Sequence, residues 1–294
     1  MTKTLPDVPD ARDIMVLVDR ALAEDIGDGD ITSKATVPTT MKLQAAITAR
    51  QDMVVAGVPV VLAIFDRLAD DSAIDILHYD GDNVAAGEVV LRIDGPAQGV
   101  LTAERSALNI MQFLSSIATY TRQFCQAIKG TDAILLDTRK TVPGLRGLSK
   151  YAVRVGGGTN HRMRLDDGIL IKDNHIAVAG SVEAAVKSAL AANAGIAVQV
   201  ECDTLDQVNE ALSAGADRLL LDNMTTDDLR QAIDIVQGRV PLEASGGVNL
   251  KTIRAIAETG VDYISVGALT QSAPAVDIGL DYLKWDNEII EQAY

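Results

Sequence analysis

The sequence predicts an α/β protein whose larger part is a barrel of β/α units, preceded by a small α+β domain. Three observations predict it. Six short apolar runs end at Asp137, Lys172, Glu201, Asp222, Ser245 and Gly267, at intervals of 35, 29, 21, 23 and 22 residues. Helical stretches with clear start signals fill the later intervals. No dinucleotide-binding glycine fingerprint follows any run, which favours a barrel over a doubly wound sheet. Strands joined through helices at this spacing run parallel with right-handed crossovers. All six ends are therefore expected on one face, the face on which barrels build their sites.

The first hundred residues read differently. Residues 11–24 have amphipathic helical spacing, 42–50 and 53–55 read as strands, 58–69 as a helix, and 74–79 and 89–93 as strands. Turn chemistry at Asp80-Gly81-Asp82-Asn83 and Gly95-Pro96 separates them. Residues 102–129 predict a long helix or a pair of helices leading into the barrel. The expected domains are 1–112, the small α+β domain, and 113–275, the barrel, with a C-terminal helix over 276–294 packing back.

Within the barrel the predicted strands are 133–137, 168–172, 197–201, 218–222, 241–245 and 262–267. Ser181, Thr204, Thr225 and Asn249 precede helical stretches as N-caps, because their side-chain oxygens accept a free N–H of the first turn. Gly215, Gly238 and Gly260 are the expected C-caps.

Composition narrows the function classes. The 294 residues are 48% hydrophobic, enough for a substantial core. The longest apolar stretch, 53–65, is broken by Gly57 and Pro59 and falls short of the ~20 residues a membrane helix needs. The opening MTKTLPDVPDARD has no apolar signal region. Cys125 and Cys202 make neither a disulfide framework nor a thiolate metal site. A soluble cytoplasmic protein is expected. A net charge of −15 and 3% aromatics argue against nucleic acid, which needs a basic face and stacking platforms.

Residues 137–175 stand out against that acidic background. They carry eight Lys/Arg and four Asp, hence +4, which leaves −19 on the rest of the chain. A basic island of this kind implies a local anion pocket. Arg139 and Lys140 follow one strand end, Arg162 follows a Gly156-Gly157-Gly158 loop, and Lys172 ends GILIK. Together they read as a clamp for a small dicarboxylate, Arg as a planar fork and Lys as a point charge. Any one of them alone reads more readily as a solvated surface charge.

Glu201 and Asp222, also at strand ends, suit Mg²⁺, which takes oxygen ligands and keeps waters and substrate phosphates. Taken singly, each is better read as a salt-bridge partner. Ser245-Gly246-Gly247 and Gly267-Ala268 follow the last two strands and read as phosphate loops. His161 reads as a ligand contact, whereas His78 and His175 read as structural. Arg105, beside Glu104, has an ordinary ion-pair explanation from spacing alone.

These residues sit in motifs that resemble the quinolinate phosphoribosyltransferase family nearly end to end. The stretches are EDIGDGDITS, ERSALNIMQFLSSIAT, DTRKTVPGLR, KYAVRVGGGTNHRMRLDD, ILIKDNHI, VEC, LLLDN, EASGG and ISVGALT. The resemblance implies an incomplete, seven-stranded α/β barrel with an N-terminal open-sandwich domain. It also implies at least a homodimer, in which the small domain of one subunit closes the barrel mouth of the other. The implied reaction converts quinolinate and phosphoribosyl pyrophosphate to nicotinate mononucleotide, pyrophosphate and CO₂, in NAD biosynthesis.

By position, Arg105 (from the neighbouring subunit), Arg139, His161, Arg162 and Lys172 resemble the quinolinate contacts. Lys140, Glu201 and Asp222 resemble those for phosphoribosyl pyrophosphate and Mg²⁺, bound directly or through water. Ser245, Gly246, Gly247, Val266, Gly267 and Ala268 resemble the 5′-phosphate loops, and Thr138 stands with the other substrate-binding positions.

Thr159 and Arg164 depart from the commoner pattern, which has His and Gly there. Three alternatives remain: a related branch associated with molybdenum transport that acts on another aromatic acid, a barrel aldolase or isomerase using Lys172 as a Schiff base, and a non-catalytic anion binder.

Overall fold

The computed structural model describes residues 9–192 and 195–285. In chain order the elements begin with α1 (Ala11–Ile26), α2 (Ile31–Thr36), β1 (Lys42–Ala49), β2 (Met53–Val54), α3 (Val58–Leu68), β3 (Ala73–Ile76), β4 (Asn83–Val84), β5 (Val89–Pro96) and α4 (Ala97–Ala127). They continue with β6 (Ile134–Leu136), α5 (Arg146–Gly156), β7 (Ile169–Ile171), α6 (Asp173–Ala179), α7 (Val182–Ala192), β8 (Val198–Cys202), α8 (Leu205–Ala214) and β9 (Arg218–Asp222). The last are α9 (Thr226–Val236), β10 (Leu242–Ser245), α10 (Ile253–Ala257), β11 (Tyr263–Ser265), α11 (Ala268–Gln271) and β12 (Ile278–Trp285). Packing divides the chain into two compact units, one of residues 9–120, 143–157 and 273–285, the other of 121–142 and 158–272. Among the described residues no helix is long and apolar enough to cross a membrane.

The first unit is built on an antiparallel sheet in the order β12-β1-β5-β3. β1 reads LQAAITA after its opening lysine and is buried from Ala45 to Ala49 on both faces, as suits a central strand. It is paired on one side with β5 and on the other with β12. The end of the chain is thus a correction. Over Ile278–Trp285 the expected C-terminal helix is a strand, and 286–294 lie outside the described residues. The alternation of Ile278, Leu280 and Tyr282 suits a strand, and the open edge of β1 supplies its hydrogen bonds. Arg50 on the β1 side holds the new edge through two hydrogen bonds to Asp281 (2.5 and 3.0 Å).

Between the two halves of the basic island, where the sequence was assigned no element, Arg146–Gly156 forms α5 and belongs to the first unit. It ends on Gly157 at φ 99°, a left-handed cap that only glycine takes without strain. The helix is docked through Tyr151, whose hydroxyl donates to buried Asp80 (2.6 Å). The two Asp80 oxygens also accept the free N–H groups of Gly57 and Val58 at the start of α3 (2.9 Å each). Asp80 is therefore a long-range cap for α3, supplied 22 residues downstream of Val58. Burial lifts its carboxyl above the ordinary range against the pull of Tyr151 and the two amides, and burial with the Asp80 charge raises the Tyr151 phenol.

The second unit carries a parallel sheet of six strands in the order β6-β11-β10-β9-β8-β7. Thr159 adds a single-residue parallel bridge on the free side of β6, with Thr159 N–H to Leu135 O at 2.9 Å and Asp137 N–H to Thr159 O at 3.1 Å. Val198, Val200, Leu219, Leu221, Leu242, Ala244 and Ile264 are buried, and the alternate positions Gln199, Glu201, Arg218, Glu243 and Ser265 are polar. Thr204 and Thr225 cap α8 and α9 in reciprocal boxes with Gln207 and Asp228. Ser181 Oγ accepts the Ala184 N–H ahead of α7 (3.0 Å). Asn249 instead caps a turn, through Lys251 N–H (3.0 Å), and α10 begins only at Ile253. Gly215 ends α8 as expected, whereas α9 and α10 end on Gln237 and Glu258, just before Gly238 and Gly260.

Tyr151→Phe removes one donor to a buried carboxylate without a change of shape. It is expected to cost about 1–3 kcal/mol, read as a lower denaturation midpoint at unchanged m-value. An unchanged midpoint would show that the Asp80 cap does not depend on α5.

Candidate active site

The parallel register brings the carboxyl ends of the strands to one edge, where a cavity of about 610 Å³ opens. That volume suits a small-molecule site. After β6 it takes Thr138, Arg139 and Lys140. The 161–162 loop contributes His161 and Arg162, and β7 and its end contribute Leu170 and Lys172. β8, β9 and β10 supply Glu201, Asp222, Glu243 and Ser245, with Gly246 and Gly247 beyond, and the region after β11 supplies Val266, Gly267 and Ala268. Four cations and three carboxylates thus share one wall. Arg105 is exposed on α4, in the first unit, and does not line this cavity.

The basic island is split by the fold. Arg139, Lys140, Arg162 and Lys172 line the cavity, whereas Arg146, Lys150 and Arg154 ride on α5 in the other unit. Lys150 is fully buried there, and Arg154 lies over the Tyr151 ring at 5.8 Å. Arg164 is exposed and pairs with Asp166 at 3.1 Å.

The cations are held in place by backbone geometry. Asp137, with no exposed surface, accepts from Asn160 Nδ2 (2.6 Å) and from the His161 N–H (2.8 Å), which anchors the loop that carries Arg162. Arg162 donates through Nη1 to Gly168 O (2.7 Å). Burial and the nearby Arg139 charge press the Arg162 guanidinium below its usual range, against a smaller pull from Asp167. The Arg139 charge thus bears on Arg162 within one cavity lining, a setting that suits an anionic ligand. The Lys140 N–H donates to Thr138 Oγ1 (3.0 Å), and Lys140 O accepts from Thr270 Oγ1 (2.8 Å). A Cβ on Gly267 would stand 2.8 Å from Lys140 Cδ, so the glycine leaves the path of that side chain open.

Both ring nitrogens of His161 are occupied by the protein. Nδ1 accepts the Arg162 N–H (2.7 Å), which leaves the ring proton on Nε2, and Nε2 faces Glu243 at 3.4 Å. Glu243 was not singled out in the sequence, because a glutamate inside EASGG carries no signal of burial. His175 Nδ1 accepts the Lys172 N–H (2.9 Å) and so fixes the start of α6.

Lys172 and Glu201 form an ion pair in the cavity lining. Asp222 accepts from Asn223 Nδ2 (2.6 Å), and Asn223 holds a positive φ of 55° with its N–H on Ser245 O (2.9 Å). Asn tolerates that conformation better than most residues, so the LLLDN turn aims Asp222 at the cavity. Gly246, at φ 88°, is packed so closely that a Cβ would lie 2.2 Å from Asn223 Oδ1 and 2.7 Å from its backbone nitrogen. No group of three or more His, Cys, Asp or Glu able to hold a metal occurs among the described residues, and of the two strand-end carboxylates Glu201 is paired with Lys172 while Asp222 accepts from Asn223.

The chain is similar to known proteins along most of its length. The family model for the quinolinate phosphoribosyl transferase C-terminal domain matches residues 117–281, and that for the N-terminal domain matches 30–115. A probable nicotinate-nucleotide pyrophosphorylase [carboxylating] of Bacillus subtilis is 42% identical over 278 residues, covering 94% of this chain and 95% of the relative. The nicotinate-nucleotide pyrophosphorylase [carboxylating] of Mycobacterium leprae is 44% identical over 268 residues, covering 89% and 94%. The solved nicotinate-nucleotide pyrophosphorylase of Francisella tularensis superposes with a TM-score of 0.90 at 40% identity, covering 96% of this chain and all of that one. With both domain models matched in order and relatives above 40% identity along most of the chain, the protein belongs to the quinolinate phosphoribosyl transferase family.

Proposed function

We propose that the protein is a carboxylating nicotinate-nucleotide pyrophosphorylase. It joins quinolinate to phosphoribosyl pyrophosphate and releases nicotinate mononucleotide, pyrophosphate and CO₂, a step of NAD biosynthesis. The observation that carries this reading is the composition of one cavity. Arg139, Arg162 and Lys172 stand on the same wall as Lys140, Glu201, Asp222 and two glycine loops. A planar dicarboxylate suits the first group, and a phosphorylated sugar suits the second.

In the reaction the pyridine nitrogen attacks the anomeric carbon. The bond from that carbon to pyrophosphate breaks with its electron pair going to the leaving oxygen, and the sugar passes through an oxocarbenium-like state. Arg139 and Arg162 orient the ring, and Lys140 meets charge that develops on pyrophosphate. The ring, now cationic at nitrogen, loses its 2-carboxylate as CO₂, and the electrons left on that carbon take up a proton. Glu201 and Asp222 would hold Mg²⁺ directly or through water, and the ion would neutralise pyrophosphate oxygens.

The Lys172–Glu201 pair bridges the two halves, so carboxylate binding at Lys172 would release Glu201 toward the metal. We further read the six-stranded sheet, extended by the Thr159 bridge, as an incomplete seven-stranded barrel. The active unit is then a homodimer in which Arg105 serves the neighbouring subunit's cavity.

No side-chain nucleophile is needed, and the cysteines are unsuited to be one. Burial pushes the Cys125 thiol up to about 11, against the Arg122 charge. Burial and the neighbouring Asp203, Glu201 and Glu210 charges push Cys202 up to about 12. A Schiff-base role for Lys172 is disfavoured by its setting, 46% exposed and paired with Glu201, because such lysines are desolvated.

With quinolinate, phosphoribosyl pyrophosphate and Mg²⁺, stoichiometric CO₂ and mononucleotide are expected, and nicotinate should not replace quinolinate. Conversion of nicotinate at a similar rate would remove the dicarboxylate requirement. Lys140→Ala should lower kcat by roughly 10²–10³-fold, the scale for loss of one charge-stabilising group. Lys172→Ala and Arg105→Ala should each be inactive alone yet regain activity when subunits are exchanged. Silence of the mixture despite measured exchange would exclude a shared site. Both thiols should resist iodoacetamide at pH 8 in the folded protein, since a high thiol pKa leaves little thiolate, and react on unfolding. Rapid native labelling of Cys202 would contradict its burial.

A further inference from the structure

We propose that Glu243 is a positioning residue for the aromatic-acid half of the cavity, acting through the His161 ring on Arg162. The inference deepens the phosphoribosyl-transfer reading and rests on it for its kinetic consequence alone.

Glu243 sits on β10 with no exposed surface. Three groups from separate segments converge on one of its oxygens. Gln199 Nε2 of β8 donates to Oε2 at 2.8 Å, Arg218 Nη2 of β9 donates at 2.7 Å, and His161 Nε2 faces it at 3.4 Å. The other oxygen, Oε1, is buried with no hydrogen-bond partner among the described residues. A buried carboxylate satisfied on one side only is costly, and an apolar residue of similar volume would pack at less expense. Packing is therefore no reason for an acid at this position, whereas orientation is.

The hydrogen-bond polarity supplies the reason. The Arg162 N–H donates to His161 Nδ1 at 2.7 Å, so that nitrogen needs its lone pair and the proton must lie on Nε2. Glu243 is the acceptor that selects this tautomer. In the other tautomer, a ring N–H would oppose the Arg162 N–H across 2.7 Å, and the Arg162 backbone would have to move. Its guanidinium is held to Gly168 O, only six residues on, so a backbone shift there would reach the clamp. Burial raises the Glu243 carboxyl, but His161, Arg218 and Gln199 together outweigh it and leave it below the ordinary range, so the acceptor stays ionised. Arg218, stacked on the Tyr263 ring at 3.8 Å, in turn holds the carboxylate.

The chain has three histidines, which makes the ring directly observable. In the full-length protein without substrates, ¹⁵N imidazole spectra should show His161 with a bare Nδ1 and a protonated Nε2. Glu243→Met, similar in length but with no oxygen to accept from Nε2, should move that signature toward tautomer averaging. Glu243→Asp, shorter but charged, should move it less. In parallel, the KM for quinolinate should rise about tenfold in Glu243→Met, the scale of one hydrogen bond to a charged group, with partial rescue in Glu243→Asp. The KM for phosphoribosyl pyrophosphate should change much less.

An Nδ1-protonated His161 in the wild type overturns the proposal. So does an unchanged ring signature in both variants, or an equal rise in both KM values. Should Glu243→Met fail to fold, the wild-type spectrum and the Glu243→Asp variant still decide it. A wild-type protein that does not convert quinolinate would remove the transfer reading while leaving the tautomer result standing.

Discussion

Parallel pairing of the strands is the constraint on which the cavity depends. In every ladder of the second unit, from β6 through β11, β10, β9 and β8 to β7, the chains run the same way. Each strand therefore releases its next residues at the same edge. Ser245 stands opposite Asp222, and Glu243 stands between Leu220 and Tyr263, because the register is fixed residue by residue. A slip of one residue would turn Leu221 and Ala244 into the cavity and bury Asp222 against the helices. The apolar alternate positions, Leu219 and Leu221 on β9 and Leu242 and Ala244 on β10, prevent it by their own burial.

Buried carboxylates do the local fixing. Asp137 ties down the Asn160–His161 loop, Glu243 gathers β8, β9 and His161, and Asp80 caps α3 while docking α5. In each case an acid replaces what regular secondary structure does not provide, namely acceptors for N–H or O–H groups from distant segments. Such groups are costly to bury and strongly directional, so they specify geometry where apolar packing would tolerate several arrangements. In the cavity lining Glu201 pairs with Lys172 and Glu243 with Arg218, while the Arg139 charge presses on Arg162.

The repeating units were legible because their signals are local. β9 ends at Asp222 as its sequence pattern predicts, and Thr204 and Thr225 cap the helices they precede. The positions of Glu201 and Asp222 followed from the predicted strand ends, since period-two alternation and parallel pairing fix where such a residue points. Other features left no local trace. Glu243 resembles any strand glutamate until Gln199, Arg218 and His161 close around it. Asp80 looks like a turn residue, which it is, but its oxygens serve α3. β12 carries a strand alternation whose partner, β1, lies more than two hundred residues earlier, so nothing nearby could favour it over a helix.

By itself the sequence determined the α/β class, the order of units in the second half and the chemistry available at each strand end, because periodicity, capping and turn residues act over a few positions. It also marked residues 137–175 as a place for anions. Only the tertiary structure decided which of those cations meet. Docking of Tyr151 on Asp80 takes α5, with Lys150 and Arg154, into the first unit, and the sheet keeps Arg139, Lys140, Arg162 and Lys172. The reason is that hydrogen bonds and burial between distant segments outweigh adjacency in the chain, and their partners cannot be read from either segment alone.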